Sequence, residues 1–131
     1  MLDKYLPCDI AKSLDNIPYY ALNELRLRSE GNIVVNIQGK NFYLKENSFD
    51  ESKHNCLQIS SGAISRILEK ISDNSMYTII DDLINGYVTL SGGVRVGVCG
   101  EVVKIDNKIT TLKNISSLNF RFPHFLKNCS L

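Results

Sequence analysis

Leu90 to Gly100 reads LSGGVRVGVCG, with four glycines and one arginine in eleven residues. Glycines beside a cation suit a phosphate cradle, in which backbone N–H groups wrap the anion and the cation meets its charge. A P-loop needs GxxxxGK[ST]. Gly92 and Gly97 have the first spacing, but Val98-Cys99 stands where Lys-Ser/Thr belongs. A dinucleotide fingerprint needs GxGxxG opening a helix, and here there is no GxG and the residues after Gly93 alternate like a strand. The stretch is therefore not expected to hold a nucleotide by itself. Gly92 and Gly93 read instead as a turn with positive φ, and Gly97 and Gly100 as a strand bulge or the close approach of another backbone. Arg95 shares a strand face with Gly97, which leaves its guanidinium room to reach a partner. A solvated arginine on an exposed face is the plainer alternative.

Other reactive types are scattered. Cys8, Cys56, Cys99 and Cys129 form no CxxC, and neither His54 nor His124 lies close enough in sequence to complete a zinc tetrahedron. No metal site is expected, and no Ser, Cys or carboxylate is placed to make a triad. Asp81-Asp82 reads as the solvated side of a helix. Fifteen basic against fourteen acidic residues give a net charge of +1, which argues against a chain built mainly for nucleic acid. With no apolar run at its start and none of membrane-spanning length, the chain is expected to be cytosolic with reduced thiols.

These residues need a scaffold, and 131 residues with 44% apolar content suffice for a single domain spanning 1–131. Asp9–Ile17 is a predicted helix, capped by Asp9 and ended by Pro18. A helical turn over Tyr19–Asn23 precedes a half-buried strand with Leu25 and Leu27 on one face and Glu24, Arg26 and Arg28 on the other. Asn32–Lys45 is a hairpin turning at Gly39-Lys40, and Glu46–Gln58 an exposed loop. Ile64, Ile67, Leu68 and Ile71 mark a helix capped by Ser60 or Ser61. Met76, Ile79, Ile80, Leu83 and Ile84 mark another, ended by Gly86. Strands come next at Tyr87–Leu90 and from Val94, then a hairpin turn at Asp106-Asn107, a return over Ile109–Leu112 and a last strand Ser117–Phe122. The sum is an α+β domain, an antiparallel sheet of five to seven strands with helices on one face.

LPCDI, ELRLRSEG, ISDNSMYTIIDDLINGYVTLSGGVRVGVCGEVV and ISSLNFRF occur in that order. From about Leu6 to Phe122 the chain resembles the N-terminal region of the stage III sporulation protein AA family, ATPases of endospore-forming bacteria. The resemblance implies kinship with hexameric secretion and pilus-retraction ATPases, in which a PAS-like N-terminal domain precedes a RecA-like motor with Walker motifs. This chain stops before any Walker motif. It is thus expected to be an excised or truncated N-terminal region, with no ATPase activity and no cofactor of its own; ATP and magnesium belong to the motor.

By the same resemblance, Arg95 of GGVRVG and Arg121 of NFRF are the candidates to reach nucleotide bound by the motor. Arg26 and Arg28 are weaker candidates for a neighbouring subunit. Partners are then the motor domain, further copies in a ring, and membrane protein AB with other components of the stage III channel complex. The location is the mother-cell cytoplasm, peripheral to the membrane around the forespore. Two departures stand out: Val94 where the family pattern has His, and Pro123-His124-Phe125 where it continues into a basic-acidic pair. Two other readings remain. One is a nucleic-acid-binding β module using the four arginines with Tyr43, Phe120 and Phe122 for stacking, although no nucleic acid is expected as a partner. The other is a PAS-like ligand sensor.

Overall fold

The computed structural model describes residues 4–18, 20–72, 82 and 86–123, with backbone alone at 91, 102 and 108–113. The predicted helix over Met76–Ile84 lies almost wholly outside the described residues. Within them the chain is an antiparallel sheet with helices packed on one face, the α+β arrangement expected.

Helix α1 (Cys8–Leu14) is followed by strands β1 (Leu22–Arg28), β2 (Gly31–Ile37), β3 (Lys40–Lys45), β4 (Ser48–Asp50) and β5 (Gln58–Ile59). Helix α2 (Ser61–Ile71), β6 (Val88–Thr89), β7 (Arg95–Ile105) and β8 (Lys108–Arg121) complete the order. The strands run β4-β3-β2-β1-β8-β7-β6 across the sheet, with β5 added to the start of β2. The eight strands among the described residues exceed the expected five to seven because Glu46–Gln58, read as a loop, holds β4 and the first residue of β5. A strand of two or three residues is too short to show a hydrophobic period.

Leu25, Leu27, Ile33, Val35, Leu44, Val96, Leu118 and Phe120 all point to one side and are fully buried. They meet Ile10 of α1 and Ile64, Ile67 and Leu68 of α2 in a single core. The apolar stripe of α2 explains its docking, and Ser60 caps it by accepting a hydrogen bond from the Ala63 N–H at 3.1 Å. Its N-terminus is tied further to the β1–β2 turn, where Glu30 Oε1 accepts from the N–H and hydroxyl of Ser61 at 2.8 and 3.0 Å. Those two bonds hold the Glu30 carboxyl below its usual range.

Several boundaries differ from expectation for local reasons. Helix α1 follows Pro7 rather than Asp9, and Asp9 instead accepts from the adjacent Ile10 N–H. It also stops at Leu14. Of the helical turn expected over Tyr19–Asn23, only a turn at Tyr20-Ala21 is found; Leu22 and Asn23 belong to β1, and Tyr19 lies outside the described residues. A register shift between Leu22 and Glu24 lets Leu22 face the core while Glu24 faces away. The first hairpin turns at Gln38-Gly39, both with positive φ (52° and 88°), one residue before the expected pair. The Asp106-Asn107 turn is as expected, with φ 53° and 65°. The last two predicted strands are one, because the backbone pairs through shifts near Asn114 and between Val103 and Lys104.

Candidate functional site

The face of β1, β8 and β7 turned away from the core carries all four arginines singled out from the sequence. Strand register arranges them in rows. Glu24 of β1 lies opposite Arg121 of β8, Arg121 opposite Arg95 of β7, and Arg95 opposite Thr89 of β6. The next row is Arg26, Asn119 and Gly97, and the third is Arg28, Ser117 and Cys99. Arg95 and Arg121 are thus direct cross-strand neighbours, whose Cβ atoms in such a pair stand about 5 Å apart. Arg28, two rows down at about 3.4 Å per residue, is on the order of 14 Å along the strand from Arg121 and joins no cluster with the pair.

The glycine stretch sets where Arg95 emerges. Gly92 and Gly93 have φ of 85° and 84°, and the loop closes with Leu90 N–H donating to the Val94 carbonyl at 2.7 Å and Gly93 N–H to the Leu90 carbonyl at 3.1 Å. That closure places Thr89 against Arg95 and Val88 against Val96. Gly97 leaves the neighbouring position bare, and a Cβ there would stand 3.7 Å from the Gly86 carbonyl oxygen, in ordinary contact. It marks a close approach without forbidding a side chain. Gly100 sits in β7 opposite the register shift that runs from Ser117 to Lys113 of β8.

Electrostatically the four arginines are not alike. Arg26 is held by Glu24, Nε to Oε1 at 3.0 Å and Nη2 to Oε2 at 3.3 Å, and this bond raises its pKa above the ordinary arginine value. Neither Arg95 nor Arg121 forms an ion pair with a described residue. Arg95 instead lies over the Tyr87 ring, 4.9 Å from guanidinium carbon to centroid, a cation–π contact. Two shallow grooves open here, of about 670 and 230 Å³, and Tyr87, Arg95 and Arg121 line both. Two permanently charged forks side by side in an open groove suit a multivalent oxyanion, which can accept bidentately from each.

Tyr87 and Glu24 were not singled out from the sequence for this site. Glu24 and Arg26 share a face by simple alternation, so their pairing had a signal. Tyr87 had none until the register of β6 on β7 was known. The stacking surface expected for nucleic acid is not formed: Phe120 of β8 is fully buried, and Phe122, just past the strand and tied by its N–H to the Asn23 carbonyl, is buried in the core. Among the described residues no group of His, Cys, Asp or Glu could hold a metal ion, and Cys8, Cys56 and Cys99 are free thiols. Asp82 is exposed; Asp81, His124 and Cys129 lie outside the described residues. No helix among the described residues is long and apolar enough to cross a membrane.

Comparison with known proteins agrees with the motif order. The chain is 31% identical over 119 residues to stage III sporulation protein AA of Bacillus subtilis (strain 168), a match covering 88% of this chain and 35% of that protein. It therefore spans about a third of the length of that curated relative. No solved structure matches it. The family model described as sporulation stage III, protein AA, matches residues 3–131, and the chain belongs to this sporulation family.

Proposed function

We propose that residues 1–131 are the PAS-like regulatory and assembly domain of a hexameric secretion-type ATPase acting in sporulation, and that Arg95 and Arg121 contact nucleotide bound by a separate motor domain. The observation that carries this reading is the Arg95–Arg121 pair itself. Like charges directly opposed across two strands destabilise a sheet, so a sequence shaped by stability alone would place a carboxylate or a neutral residue in one of the two positions. The pair instead stands in an open groove without a carboxylate partner among the described residues. A guanidinium pair would act by electrostatic complementarity to phosphate charge contributed by another domain, not as a catalyst alone. The working partners are the motor domain, neighbouring copies and membrane protein AB of the stage III complex, in the mother-cell cytoplasm.

ATP hydrolysis and ring formation by the longer protein test this. Arg95→Ala and Arg121→Ala should each lower turnover or assembly. Wild-type turnover and rings from both variants would remove the nucleotide role, as would intrinsic ATP turnover by residues 1–131 alone.

A further inference from the structure

A carboxylate in the wall of an anion groove is out of place, and Glu24 lines the larger groove together with Arg95 and Arg121. By strand register its direct neighbour is Arg121, close enough in such pairs for the two side chains to meet. Its carboxylate nevertheless turns along its own strand to Arg26, two residues on, and both oxygens are engaged there at 3.0 and 3.3 Å. The Glu24 side chain is only 17% exposed while that of Arg26 is 47% exposed. The less exposed partner is thus the acid.

We propose that Arg26 is a positioning residue that withholds Glu24 from Arg121, leaving the Arg95–Arg121 pair without a counter-ion among the described residues and open to an external oxyanion. This rests on the reading of the groove as a phosphate-contacting site, and it gives Arg26 a task other than meeting a neighbouring subunit. Glu24 has two guanidinium neighbours and its two oxygens occupied by one of them. Remove Arg26, and among the described residues the cation directly opposite Glu24 is Arg121. The carboxylate then competes with any anion for the same fork. An opposite-charge cross-strand pair corresponds to at most about fivefold in an equilibrium, which sets the size of the effect.

The test is a double-mutant cycle on the 131-residue chain, with inorganic pyrophosphate as the anion and the side-chain Nε–H signals of Arg95 and Arg121 as the NMR readout. Without anion, Arg26→Ala should move the Arg121 signal toward that of an ion-paired guanidinium, and adding Glu24→Gln should return it. With pyrophosphate, Arg26→Ala should weaken binding up to about fivefold, and the same substitution in the Glu24→Gln background should cost distinctly less. An Arg121 signal that Arg26→Ala leaves in place overturns the proposal, as does an equal loss of affinity in both backgrounds, which would show only the removal of one positive charge. Absence of any pyrophosphate response in the unsubstituted chain overturns the anion-site reading itself, while the anion-free Arg121 signal still decides whether Arg26 holds Glu24 away.

Discussion

Phe120 and Arg121 are consecutive residues of β8, and they belong to two surfaces with opposite design. Phe120 is fully buried between Leu25 and Val96 of the flanking strands and joins the core shared with both helices. Arg121 is exposed beside a second arginine, a like-charge pair that a neutral residue in either position would relieve. One face is fixed by packing; the other tolerates repulsion. A sheet whose stability comes from one side can carry an unfavourable charge pair on the other, and this separation lets the arginine face take the binding role proposed for it.

The contrast breaks most visibly at Phe120. Phe120→Ala should cost about 3–5 kcal/mol, read from urea unfolding, because it opens a cavity where the sheet and helices meet. An effect below about 1 kcal/mol would mean the core is not centred on β8. Next in size is the loop that sets Arg95 in register. Gly92→Ala meets no steric obstacle, so its cost is that of a non-glycine at φ 85°, about 1–2 kcal/mol. It should also disturb the amide signals of Thr89 and Arg95 more than those of Leu25. Disturbance spread evenly over the sheet would deny the loop its local role.

Glu30 sharpens the contrast on the core side. Its carboxyl is held below its usual range by Ser61, so its contribution is present above the unfolded pKa and is lost as pH falls through the lower folded value. Glu30→Gln should therefore lower stability at pH 7, and the gap to the unsubstituted chain should close below about pH 4. A gap that widens on acidification would contradict the sign. The smallest effect belongs to the arginine face. Arg121→Thr should leave stability unchanged or raise it by a few tenths of a kcal/mol as the cross-strand repulsion is relieved. Clear destabilisation would show Arg121 to be a structural residue.

Much of this was legible in residue order. The alternation of Leu25 and Leu27 against Glu24, Arg26 and Arg28 marked the two faces of β1, and Ile64, Ile67, Leu68 and Ile71 marked α2 with its Ser60 cap. What periodicity lacks is the partner of each strand. That Arg121 stands opposite Arg95 is a matter of register between strands far apart in sequence, and that Tyr87 comes beneath the Arg95 guanidinium follows from how the glycine loop pairs β6 with β7. The inward turn of Phe120 and Phe122 follows the same alternation as Leu118, yet aromatic residues beside arginines also resemble a stacking surface until burial is known. β4 and β5 were missed because two or three residues cannot show a period.

Arg95 and Arg121 are proposed to serve binding and not folding. This is tested most directly by measuring ATP affinity of the longer protein carrying Arg95→Ala and Arg121→Ala together, alongside the thermal midpoint of the 131-residue chain with the same pair of changes. A charged hydrogen bond is worth about 1.5–3 kcal/mol, so losing two should weaken ATP binding by well over about tenfold, while the midpoint moves by no more than about 3 °C. ATP affinity equal to that of the unsubstituted protein, or affinity lost only in step with unfolding, would contradict the account.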